Sequence, residues 1–159
     1  MDKQTVLIAF IVSNVVGLVF WVVAFKWPKI ARIMFALLFG WACWFNYSTC
    51  HKQPEAYLMY GEHSIHLYSV FINGWFKDHI TAFVTFIAVG QGLIALGMLL
   101  KGWWVNLACI GAIIFLLGIA PFGMYSAFPF SLVVSAAAYL IMRNDDKNWL
   151  WKFRSKIIE

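Results

Sequence analysis

The chain has 159 residues, of which 63% are hydrophobic and only 12% charged. A soluble domain is roughly 45–50% apolar and about 25% charged, so this composition excludes a water-solvated globule and leaves a chain solvated by lipid. The net charge of +5 does not indicate a nucleic-acid partner, because the cations stand at the ends of apolar runs and not across a soluble basic face.

Residues 5–25 form the first apolar run. At about 1.5 Å per residue it reaches roughly 30 Å, the thickness of the hydrocarbon core. Lys3 makes a weak n-region, and the run ends in VVAFKWP without a small-residue cleavage site, so a retained helix is expected, not a signal peptide. Pro28 breaks it, and Lys26, Lys29 and Arg32 crowd the break. The second span is expected over 30–49, the third over 80–100 and the fourth over 103–120. PFGMYSAFP reads as a turn. The fifth span, 130–142, is short, and Tyr125 and Phe128 extend it at the interface. The predicted fold is all-α: a polytopic membrane helix bundle of about five transmembrane helices, a four-helix core plus an N-terminal helix. Residues 1–159 make one integral membrane domain.

Five spans put the termini on opposite sides. Lys26, Lys29, Arg32, Lys101, Arg143, Lys147, Lys152, Arg154 and Lys156 share one side, against Lys3, Lys52 and Lys77 on the other. The positive-inside bias predicts an outer amino terminus and a cytoplasmic carboxyl terminus, with a bacterial inner membrane as the expected location. In the tail, 143–159, Trp149, Trp151 and Phe153 alternate with Lys152, Arg154 and Lys156, which suits an interfacial anchor on anionic lipid.

The interval 51–79 then lies outside. Pro54 opens it and Asn73-Gly74 closes it, while Tyr57, Tyr60, Ile65, Tyr68 and Ile72 recur at three- and four-residue steps. An external amphipathic helix is expected, weakened at Gly61. Within it, Glu62, His63 and His66 of EHSIH would share one helix face. They could act as a proton-handling or metal-binding triad, since imidazole titrates near neutrality. The same spacing also suits a plain Glu62–His66 helix pair in the headgroup zone. The order is E-H-x-x-H, not the H-E-x-x-H of zinc enzymes, so no metal is predicted. In NGWFKDHI, Trp75 and Phe76 fit an aromatic belt and His79 follows Asp78.

Polar groups at membrane depth are costly and mark candidate sites. Asn14, Asn46, Gln91 and Asn106 qualify, and Gln91 stands out between Gly90 and Gly92. Small residues let helices approach so that an amide can bond across them. Gln91 and Asn46 therefore read either as structural glue or as the polar floor of an outward cavity. Asp, Glu, Lys, Arg and His are not expected in mid-span, which argues against an ion-coupled pump and against haem. Cys43, Cys50 and Cys109 show no CxxC spacing; Cys43 and Cys109 read as small buried hydrophobes, and Cys50, at a span end, as a reactive or bridging thiol.

The stretches ARIMFALLFGWACWFN and GQGLIALGMLLKGWWVNLACIGAIIFLLGIAPFG, continued by AFPFSLVVSAAAYLIM, resemble the DoxX-like small membrane proteins over about two thirds of the chain. The resemblance implies a four-helix core and association with quinone- or sulfur-linked redox systems or with assembly of other proteins. Gln91 replaces an acidic residue often found in that family's glycine-rich span.

The leading expectation is a non-catalytic integral membrane protein that binds a lipophilic ligand or a partner subunit at its outer face. The candidate ligand-binding residues are Asn46, Tyr60, Glu62, His63, His66, Trp75, His79 and Gln91. The alternative is the membrane subunit of a quinone-linked oxidoreductase, and a small transporter comes third. Quinone or lipid is the cofactor class considered. The expected partners are the bilayer and a membrane or redox subunit.

Overall fold

The computed structural model describes residues 3–122 and 128–151, and the side chains of these except for residues 3–6, Glu62 and His63. Tyr125, and the tail cations and Phe153 beyond Trp151, lie outside the described residues.

Five long helices make the bundle: α1 (Lys3–Lys26), α2 (Pro28–Lys52), α5 (Lys77–Leu99), α6 (Trp103–Ile119) and α7 (Phe130–Asn144), with two short ones, α3 (Met59–His63) and α4 (His66–Phe71), between α2 and α5. Four helical stretches are long and apolar enough to cross a membrane: 7–26, 28–52, 66–99 and 103–122. The shorter α7, 15 residues, is about 22 Å long. The chain is an all-α helical bundle whose apolar side chains also face outward: Leu37, Phe86, Leu93 and Ile114 are all at least 64% exposed. Such a belt would be a large apolar patch in water and is ordinary against hydrocarbon, as an integral membrane protein requires.

Each long helix packs on the next, in the order α1, α2, α5, α6, α7, and α7 closes the ring on α1. Pro28 makes the first corner tight. It has no N–H to continue α1, and it takes the first position of α2, so Trp27 alone separates the two helices. Phe20, Phe35, Phe39 and Phe115 form a ladder of rings across the interior, with centroids 5.2, 6.2 and 5.8 Å apart. Between α5 and α6 the approach is tight at Gly97, where an added Cβ would stand 2.8 Å from Ala108 Cβ.

One end of the bundle is tied by Arg32. The sequence presents it as a surface cation beside Pro28, but it is fully buried in the first turns of α2. Its Nε donates to Met98 O at 2.9 Å, Nη2 donates to Leu100 O, and Nη1 donates to Asp145 Oδ1 at 3.0 Å and Asn148 O at 2.9 Å. The last carbonyls of a helix lack intrahelical partners and carry its negative pole; a guanidinium supplies donors and charge together at the end of α5. Alongside, Gly102, at φ +67, donates its N–H to Lys147 O at 2.7 Å, and Lys29 pairs with Asp146 at 3.3 Å. Lys101 lies over the Trp149 ring, 5.4 Å from its centroid, and Trp149 stacks on Trp151.

The opposite end departs from the expected single amphipathic helix. A 3-10 turn, Pro54–Tyr57, leads into α3, and the chain then becomes extended at Ser64 and Ile65 before α4. Gly74 does not stop the helical path either: α4 runs through a π-turn, Ile72–Phe76, kinked at Gly74, straight into α5. The reason is packing. Ile72, Phe76, Ile80 and Val84 form one buried cluster with Cys50, and leaving the helix at Gly74 would uncover it. Gly61 is likewise more than a weak point. A Cβ there would stand 3.1 Å from Ile72 Cγ2, so its bare backbone is what lets α3 sit on the π-turn.

Candidate ligand-binding cavity

Beyond the tight Gly97–Ala108 contact, the space between α5 and α6 widens into a cavity of about 760 Å³ roofed by the 54–76 segment. Its α5 wall is Phe83, Val84 and Ile87, and its α6 wall is Ile114, Phe115, Gly118 and Ile119, with Phe122 just past the helix end. Tyr57, Tyr60, Leu67, Tyr68, Phe71, Ile72 and Phe76 close it from the other side, and Asn46 reaches in from α2. The volume is within the roughly 300–1,000 Å³ of small-ligand sites, which combine apolar walls with a few placed polar groups.

Aromatic contacts hold the roof in place. Phe122 contacts Tyr60 at 5.6 Å and Tyr68, edge-on, at 5.0 Å, and Phe71, Phe76 and Phe83 contact one another at 5.5–5.9 Å. Such pairs add about 0.5–1.5 kcal/mol each beyond their buried area.

The polar groups form two short networks. Tyr57 Oη donates to Asn46 Oδ1 at 2.9 Å, and Asn46 Nδ2 donates to Gln91 Oε1 at 2.9 Å. Gln91 is 2% exposed, so this bond joins α2 to α5 and satisfies the Gln91 carbonyl away from water. Across the cavity, Tyr68 Oη donates to Gly118 O at 2.9 Å and links the roof to α6. Burial pushes the Tyr57 phenol up to about 12; nearby Cys50 and Tyr60 push the same way, and a hydrogen bond with Thr49 partly opposes them. Burial also raises Tyr60. Both stay neutral phenols across the physiological range.

The sequence-predicted residues divide. Asn46 and Tyr60 line the cavity, and Gln91 stands behind Asn46 as its hydrogen-bond partner. Trp75 and His79 pair away from it: their rings stack at 4.4 Å and 11°, and His79 Nδ1 donates to Trp75 O at 2.8 Å. His66 is exposed at the start of α4 and is not among the lining residues. The side chains of Glu62 and His63 lie outside those described, but the backbone shows that the shared helix face does not form, because the chain is extended at Ser64 and Ile65, between His63 and His66. Cys50, read as a reactive or bridging thiol at a span end, is fully buried and free inside α2, with Sγ 3.3 Å from Tyr47 O.

Tyr57, Tyr68, Phe83, Phe115, Gly118 and Phe122 are among the other lining residues, and the sequence does not single them out as ligand-binding. The tyrosine recurrence at 57, 60 and 68 was the site's one visible signal. The α6 contribution carried none, because a glycine and aromatics in an apolar run look the same whether they face lipid, core or cavity. Comparison of the chain with protein-family profiles, curated proteins and solved structures returned no match.

Proposed function

We propose that the protein binds a lipophilic ligand in this cavity without transforming it. One observation carries the reading: a cavity of about 760 Å³ whose walls are almost wholly aromatic and aliphatic, with Asn46, Tyr57 and Tyr68 as oriented polar atoms. The cavity is at the end of the bundle opposite the Arg32–Asp145 pair. With the cation-rich end cytoplasmic, it would face the outer side of the membrane, in keeping with an outer-leaflet ligand. The residues resembling DoxX-like proteins bear on the helical core alone and add no reaction to this reading.

Native mass spectrometry of the full chain released from mild detergent tests it, with Gly118→Phe as the control that obstructs the cavity from its α6 wall. A retained lipophile in the wild type that is absent from Gly118→Phe supports the reading. A bare wild type, or equal retention by both, overturns it.

A further inference from the structure

The class of ligand follows from the hydrogen-bonding capacity that the cavity leaves uncommitted, an inference that rests on the lipophile-binding reading above. A phenol has one proton and an accepting oxygen. The Tyr57 proton is given to Asn46 Oδ1 and the Tyr68 proton to Gly118 O, so both phenols can meet an occupant only as acceptors, with Thr49 already on one side of the Tyr57 oxygen. A primary amide has two N–H donors. Asn46 gives one to Gln91 Oε1 and keeps the other. None of the described lining residues carries a formal charge.

These facts separate the head groups a lipophile can bring. A carboxylate or phosphate would enter without a counter-cation, and an ammonium without a counter-anion; a desolvated unpaired charge is strongly unfavourable. A carbonyl or ether is neutral but only accepts, so it satisfies Asn46 and leaves the phenolic oxygens facing a group with nothing to donate. A hydroxyl has one proton and lone pairs, and serves both. We propose that the cavity takes an uncharged lipophile ending in a hydroxyl group, whose proton goes to the Tyr57 oxygen and whose oxygen accepts the second N–H of Asn46. Tyr57 and Asn46 are already bonded to each other at 2.9 Å, so one hydroxyl can reach both. The apolar body lies between the α5 and α6 walls. Entry is lateral, from the lipid, where the lining residues Leu67 and Ile114 are 72% and 68% exposed.

The test is equilibrium binding to the purified full chain in detergent micelles, using four probes with the same prenyl chain: farnesol, farnesyl methyl ether, farnesoic acid and farnesylamine. Farnesol should bind tightest, about five- to tenfold more tightly than the ether, the ratio that one net hydrogen bond gives. Tyr57→Phe should bring farnesol to within about twofold of the ether, and Gly118→Phe should abolish binding of both. An ether, acid or amine that binds as well as farnesol overturns the hydroxyl assignment and leaves the lipophile reading standing. An unchanged farnesol preference in Tyr57→Phe also overturns it. Should Tyr57→Phe not fold, the four-probe ranking on the wild type decides alone. Failure of all four probes to bind, or farnesol binding that survives Gly118→Phe, overturns this cavity as the site and with it the lipophile reading.

Discussion

Arg32 Nη1 lies 3.0 Å from Asp145 Oδ1, and neither side chain is exposed. The pair joins the start of α2 to the residue that follows α7, while the same guanidinium holds the last carbonyls of α5. Removing one partner from such a pair strands the other charge and costs about 3–5 kcal/mol, whereas replacing both by apolar groups often costs far less. Arg32→Ala should therefore lower the thermal unfolding midpoint in detergent well beyond the fall seen in the double variant Arg32→Met with Asp145→Leu. A double variant as unstable as the single one would mean that the carbonyl contacts to α5, not the ion pair, hold this end together.

The glycines of α5 and α6 should respond in opposite ways. Gly97 has Ala108 Cβ 2.8 Å from where its own Cβ would be and Trp104 O at 3.3 Å. Gly97→Ala must push two helix backbones apart, and overpacking of this kind costs about 1–3 kcal/mol. Gly90 and Gly118 have nothing within 4 Å, so alanine there should be neutral or should stabilise by up to about 1 kcal/mol through helix propensity. Unfolding midpoints of the three single variants check the ranking; equal losses at all three would contradict the packing described.

The spans were legible because a run of about 20 apolar residues has few alternatives in lipid, and Pro28 and Lys101-Gly102 punctuate it. Asn46 and Gln91 were legible for a related reason: an amide at depth must find a partner or a ligand. Arg32 was not, because a cation next to a helix-breaking proline looks solvated until Asp145, 113 residues away, arrives beside it. The EHSIH face failed for a local reason. Helical spacing presumes a continuous helix, and the chain gives that up at Ser64 and Ile65 so that α3 can fold back against the π-turn. Gly74 misled in the other direction: its backbone signals an end, and the buried side chains on either side of it, Ile72 and Phe76, carry the helical path through.

The Asn46–Gln91 bond should be strongly coupled. Asn46→Leu leaves Gln91 Oε1 without the donor it has at 2.9 Å, in a residue only 2% exposed; an orphaned buried acceptor costs about 1–3 kcal/mol. Gln91→Leu has the mirror effect on Asn46, softened because Tyr57 still donates to Asn46 Oδ1. The double variant Asn46→Leu with Gln91→Leu should lose less than the two singles together, by about 0.5–3 kcal/mol. A double-mutant cycle on thermal unfolding measures this directly, and strict additivity would show that the pair does not join α2 to α5.

Alkaline titration reads the cavity wall through Tyr57. Its phenol is raised to about 12, first by burial and then by its neighbours Cys50 and Tyr60, whereas a free phenol titrates near 10. The folded protein therefore holds this proton more tightly than the unfolded chain does. By linkage, the stabilisation is fully present below pH 10 and is lost as pH rises from about 10 to about 12. Phenolate absorbance should show a late step that Tyr57→Phe removes, and the unfolding midpoint of the wild type should fall over the same pH range more steeply than that of the variant. A ligand hydroxyl on the Tyr57 oxygen would be repositioned once the phenol ionises, so binding of a hydroxylated lipophile should change in the same window. A Tyr57 step near 10, unchanged on folding, would place that ring in water and remove the polar end of the cavity.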